Sequence, residues 1–562
     1  MIRFKVCASI ASVLVVLTPA SVLAQHDQHN VAAPPVTLAD WSRGARLFDG
    51  LGDFHRAATT TSPEAQQFFD QGMRFIWAFN HDEATRAFAK AAELDPHCAA
   101  CYWGVALTLG PNYNMPMMAE ARARAGWDAL SRARANAAFA TPIEQALIAA
   151  LSRRFAGPTA LDPTNSAPFL TSYVSAMRDV ARRFPDDLDL QVLFAEALMN
   201  TSPWRLWNAD GTPGAATPEI METLSRVLAK DPRHPGANHY WIHTVEASPN
   251  PERALASAEA LTGMMPAAGH LEHMPAHIMQ RVGRYEEAAE ANRKGAAADL
   301  AYLKLTAPPD YYPMYVIHNF QFLAFSAAME GRRAETIAAL RQARTAAPDS
   351  MLLAMPGLDW SVGFLYAGLV RFGMWGDLLR EPAPDPALTG LTISYRQARA
   401  IALAAKGRVT RAKSEAARAA ALAAVVPAEA MQGMNAARPL YAIGQKKAEA
   451  RIALAERKSR RAIVLLGEAT TLEDQLAYNE PEDQFFPVRH LLGDVLLQTG
   501  KAGEAEAVYR ADLKRHPRNG WALAGLAQAL QGQGRSAEAA VANQAAAEAW
   551  KHADIAMRDS AF

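Results

Sequence analysis

Residues 72–96 read GMRFIWAFNHDEATRAFAKAAELDP, and the spacing within them decides the fold. Gly72 is followed by Phe75 one helical turn on, then by Ala84, Phe88, Ala91 and Pro96. The same pattern returns far downstream as Gly493, Ala505, Tyr509 and Pro517, and Ala539 repeats the position of Ala505. A third copy runs Ala324, Thr336, Leu340, Ala343 and Pro348. Others centre on Ala276, Ala288 and Asn292, and on Ile242, Ala254, Ala258 and Pro266, with weaker ones around Ala412 and Ala462. Between the two helices of a copy stands Gly-Arg or Gly-Lys, at Gly283, Gly331, Gly407, Gly500 and Gly534. Glycine there stops one helix in the left-handed conformation, and the small alanine lets the next helix cross closely.

This arrangement resembles the tetratricopeptide repeat, whose small and aromatic residues recur at these offsets in a unit of about 34 residues. The resemblance covers most of residues 65–348 and 390–550, with a less regular insertion near 110–215. It implies an all-α solenoid of about eight to ten antiparallel helix pairs. It also implies a concave surface lined by the first helix of each repeat, and a protein or peptide partner held there. No segment shows the sustained period-two alternation of a strand.

Around that array the chain divides into a leader at 1–24, a tail or linker at 25–60, a first array at 61–350 and a second at 351–562. Arg3 and Lys5 precede an apolar stretch from Val6 to Leu17, and Val22 and Ala24 supply small residues for cleavage after Ala24. This pattern predicts a secretory signal and a periplasmic or secreted protein. The stretch is shorter than the roughly 20 residues of a membrane span. The 57 basic residues balance the 57 acidic ones, and no basic stripe stands out, which argues against a nucleic-acid partner.

The histidines carry the chemistry. His239 and His243 lie three before and one after the packing residue Ile242. His273 and His277 flank Ala276 identically, one 34-residue unit later. His270 stands six before Ala276 and His318 six before Ala324, and His490 repeats the position of His273 relative to Gly493. Residues three or four apart share a helix face, and packed helices lie about 8–10 Å apart. The pairs His239/His243 and His273/His277 are therefore expected to bridge to one ion, with His270 and His318 as further ligands. Neutral imidazole suits zinc, copper or nickel. A peptide, an anionic ligand or a buried polar network would use the same residues. Glu246 and Glu272 are nearby carboxylates, with Glu272 off the stripe.

Cys98 and Cys101 open a helix as Cys-Ala-Ala-Cys, a disulfide or redox pair in an exported chain. Met115, Met117 and Met118, and the histidines of residues 25–29, are weaker candidates as soft or terminal metal ligands. The aromatics of Pro203–Trp207 are expected to cap the groove. No phosphate loop, His-Glu-x-x-His or Gly-x-Ser-x-Gly motif is present. The sequence thus favours an exported binding scaffold with a histidine-lined groove over an enzyme. The alternative is a metal-dependent hydrolase with Glu246 as general base.

Overall fold

The computed structural model describes residues 35–306, 312–355 and 357–556. The expected leader, the histidines of residues 25–29 and most of the tail's first half lie outside them. The described chain is an all-α solenoid of helix hairpins, most helices packing on the next. Among the described residues the only paired strands are the two-residue segments Met431–Gln432 and Asn435–Ala436. No described helix is long and apolar enough to cross a membrane.

The quoted stretch folds as the helices Pro63–Trp77 and His81–Leu94, capped by the side chains of Ser62 and Asn80. The glycine and aromatic of the pattern meet in space. A Cβ on Gly72 would lie 2.5 Å from the Phe88 ring, and one on Gly104 of the next helix equally close. Downstream, Gly493 and Gly525 clasp Tyr509 at 2.3 and 2.2 Å in the same way. One aromatic thus wedges between two glycines, joining a hairpin to its successor. The predicted turn glycines 283, 331, 407, 500 and 534 all have positive φ. Gly72→Val or Gly493→Val is expected to cost about 1–3 kcal/mol by overpacking, read as a lower urea midpoint at unchanged m. A midpoint equal to wild type would contradict the wedge.

The hairpins are more numerous than the eight to ten expected. The stretch near 110–215 contributes helices of its own, Glu120–Ala135, Pro142–Leu151, Ala167–Arg183 and Leu188–Met199, with a long loop only between the second and third. Packing also continues across the expected division at 350, since one apolar cluster runs from Tyr285 to Phe486.

Candidate metal centre

Three adjoining helical segments carry the histidines. His239 and His243 lie on Pro235–Val245, His270 and His273 on Gly269–His273, and His277 on Pro275–Arg281. Pro275 lacks the N–H to continue the helix, so the single helix expected over 270–277 is two short ones. His318 sits on Pro313–Met329. Absent side chains let these backbones close in. A Cβ on Gly236 would meet Trp77 at 2.4 Å, one on Gly269 would meet the Asp299 carboxylate at 1.9 Å, and one on Gly295 would meet the His273 Cβ at 2.9 Å.

All six histidines converge. Their potential ligand atoms fall into two trios, His239/His243/His270 and His273/His277/His318, with atoms within 4.8 Å of one another in each. A third such group, His243/Glu246/His277, ties the trios together. The histidines therefore gather as three plus three rather than as the two pairs expected to share one ion. His270 and His318, read as additional ligands, each complete a trio.

The hydrogen bonds around the rings set their tautomers. His239 Nδ1 lies 2.5 Å from the Trp77 carbonyl oxygen, which only accepts, so Nδ1 carries the proton. His243 Nδ1 donates to Glu246 at 2.9 Å, and His277 Nδ1 donates to the other Glu246 oxygen at 2.7 Å. Asn292 donates its amide to the Ala288 carbonyl, which turns its oxygen toward His273 Nδ1 at 2.8 Å. Four rings are thus held by Nδ1 and direct Nε2 into a common interior. Buried and without hydrogen-bond partners there are His239 Nε2, His243 Nε2 and both ring nitrogens of His270. His273 Nε2 and His277 Nε2 face each other at 2.6 Å. Unpartnered buried nitrogens are costly, and ring orientation by carbonyl and carboxylate acceptors is what surrounds histidine ligands of metals.

Two features lay beyond sequence reasoning. Glu480, from the loop between Ser459–Glu473 and Val488–Gln498, makes a short ion pair with His277 Nδ1, its side chain 3% exposed. The second feature is the aromatic walls. Phe79 lies against His239, His243 and His270, with ring centroids 4.5, 5.6 and 5.8 Å away. Phe322 lies against His273, His277 and His318 at 5.1, 4.9 and 4.9 Å. Tyr113 and Trp204 close over His243 at 5.3 and 5.5 Å. Phe79 and Trp204 have φ of 52° and 61°. That region costs a bulky residue of order 1–3 kcal/mol, and such strain gathers at functional sites.

Burial governs the charges. It is the largest influence on every ring, and it holds His243 and His318 down to about 3 and His239, His270 and His273 well below the ordinary imidazole value. At His277 burial acts the same way but is outweighed by Glu480 and Glu246, which hold that ring up to about 10.

Several expectations change. The histidines do not line an open groove: His239, His243, His270, His273 and His277 are buried and His318 is half-buried. Tyr113 and Trp204 close over His243, and Glu480 lies against His277. Glu246, considered as a general base, has both oxygens engaged by imidazole Nδ1–H groups and acts as their anchor. Glu272, expected off the stripe, is buried but belongs to none of the three groups. His490 sits elsewhere, donating from Nε2 to Asp512 and accepting at Nδ1 from Arg371. Trp204 covers the site as the loop aromatics were expected to, while Trp207 donates to the Thr244 carbonyl. Met118 is buried and Met117 exposed. Cys98 and Cys101 form a disulfide at the start of Ala99–Leu109.

No family model matches the chain, and no curated protein matches it in sequence. Among solved structures it resembles the Cut9–Hcn1 complex of the APC/C, at 14% identity over 88% of this chain and 81% of that one, with a TM-score of 0.31. It is similar to the human IFIT1 dimer with m7Gppp-AAAA at 11% identity over 87% and 96%, TM-score 0.33. The third is yeast Tom70, at 11% over 86% and 90%, TM-score 0.28. Superpositions this loose add nothing to what the chain's own helices define.

Proposed function

We propose that this chain is an exported helical-repeat protein whose buried histidine cluster holds a transition metal, zinc, copper or nickel. One observation carries the reading: His239 and His243, anchored through Nδ1 by Trp77 and Glu246, leave buried Nε2 atoms without partners beside His270, neither of whose ring nitrogens is paired. A merely structural histidine cluster would pair those nitrogens, since buried polar groups are nearly always hydrogen-bonded. The apolar leader and the Cys98–Cys101 disulfide support export. A protein or peptide partner of the repeat scaffold would meet a surface other than the histidine stripe.

The test is elemental analysis of the purified, desalted full-length protein, where stoichiometric zinc, copper or nickel is expected. A metal-free preparation that also fails to take up any of the three would remove the proposal. Glu246→Gln keeps the shape but weakens the anchor of His243 and His277, and is expected to lower metal affinity about 10–100-fold. An unchanged affinity would show that Glu246 does not orient the ligands. The hydrolase alternative predicts chelator-sensitive ester or phosphoester turnover. None is expected, because Glu246 has no oxygen free to act as base.

A further inference from the structure

We infer that the cluster is a dinuclear centre, two three-imidazole sites each holding one copper(I) ion, and this rests on the metal-binding reading above. The first argument is repeat equivalence. His239 and His243 occupy the register of His273 and His277 one 34-residue unit later, and His270 occupies that of His318. The two trios found in space are therefore the same three positions taken twice. Each trio is one His-x-x-x-His pair plus one histidine from the next first helix. Each also has its own wall, Phe79 touching all three rings of one and Phe322 all three of the other.

Separation supports two ions rather than one. A single ion bonds imidazole nitrogen at about 2.0–2.1 Å, so six rings spread over two trios cannot all reach it. The trios nonetheless adjoin, with the His243 and His277 rings 5.6 Å apart and those of His270 and His273 5.7 Å apart. Glu246 spans this junction, one oxygen on a ring of each trio.

Charge selects the ion. With every imidazole neutral and ligating, the carboxylates in contact with the rings are Glu246 and Glu480, two negative charges. Uncompensated charge in a buried site is heavily penalised. Two monovalent cations balance these carboxylates, whereas two divalent ions leave an excess of two positive charges. Three neutral nitrogen donors complete the trigonal coordination that copper(I) accepts, and copper is among the metals imidazole suits.

The experiment titrates metal-free full-length protein anaerobically with copper(I), supplied as its acetonitrile complex and read against a chromogenic copper(I) chelator. Two ions per chain are expected, with X-ray absorption showing about three nitrogen neighbours per copper and a copper–copper vector. His270→Gln and His318→Gln are each expected to leave one ion, and the double variant none. Circular dichroism reports whether each variant folds, and the wild-type stoichiometry needs no variant. Saturation at one ion overturns the dinuclear assignment while leaving the metal-binding proposal standing; no binding of any metal overturns both. A parallel titration with zinc is expected to stop short of two ions, and two zinc ions held as firmly as copper(I) would overturn the charge argument.

Discussion

Replacing His277 by alanine is expected to destabilise the metal-free protein by about 3–5 kcal/mol, the range for removing one partner of a buried ion pair. His277 stands between two carboxylates, Glu246 at 2.7 Å and Glu480 closer still, and all three side chains are buried. Without the imidazolium, two negative charges face each other in a site from which solvent is excluded. Urea unfolding of chelator-treated protein measures the loss. The companion His277→Ala/Glu480→Gln removes one of the stranded carboxylates and is expected to recover part of the stability. That non-additivity marks residues sharing one network. The same His277→Ala chain should retain less metal than wild type after desalting. A loss under about 1 kcal/mol, the scale of a solvated surface pair, would mean that the two carboxylates do not depend on His277.

The second large effect concerns a buried network apart from the six-histidine cluster. Asp512 accepts from His490 Nε2 at 2.8 Å, from Asn519 at 3.0 Å and from His516 Nδ1 at 3.0 Å, while His516 Nε2 lies 3.1 Å from Glu482. Burial opposes charge on His516, but Glu482 and Asp512 prevail and hold it up to about 10. Burial would raise Asp512, and the neighbouring His490 and His516 instead hold it far below the usual carboxylate range. His490 is pushed down to about 4, by burial first.

For His516 the folded pKa exceeds the unfolded value near 6.5. Its stabilisation is complete below that value and is lost as pH rises through about 10. Between pH 7 and 10 His490 is neutral in both states and does not contribute. The His516 contribution to unfolding free energy should therefore fall across this window, by up to about 1.4 kcal/mol per pH unit for this one proton. His516→Gln should flatten the slope by one proton, leaving the share due to His277 in metal-free protein. Asp512 acts oppositely, its contribution present above the unfolded carboxylate pKa and lost in acid. Asp512→Ala, which takes the acceptor from His490 and Asn519 and leaves His516 with Glu482 alone, is expected to cost about 3–5 kcal/mol near neutral pH. A His516→Gln profile with the same slope as wild type from pH 7 to 10 would contradict a charged His516.

What was legible in the sequence was register. A 34-residue repeat assigns each position to a helix face, so the helix hairpins, the left-handed glycines and all six histidines could be read from spacing alone. Register does not say what lies opposite a face. His490 repeats the position of His273, yet it meets Asp512 and Arg371 rather than other imidazoles. Phe79, Tyr113, Trp204 and Glu480 sit in segments between helices, where the repeat spacing carries no meaning. Those segments turned an expected groove into a closed site. Asn292 did leave a trace. It stands four after Ala288, where the other copies place Phe88 after Ala84 and Tyr509 after Ala505. An amide in an aromatic's slot at a fully buried position signals a polar partner, here His273.

The Glu480 contact has a consequence for how the protein is made. Hairpin stacks grow through neighbour contacts and can order progressively as chain becomes available. The ion pair to His277 cannot, because Glu480 arrives from a loop within the second array, after Ser459–Glu473, and closing so long a span carries its entropy cost before any contact repays it. The histidine helices can therefore assemble while the carboxylate that neutralises them is still distant. A nascent or truncated chain ending before Ser459–Glu473 would present imidazoles without their full counter-charge. Completion of this charge network then waits for the chain beyond Ser459–Glu473, which makes it a late event in folding.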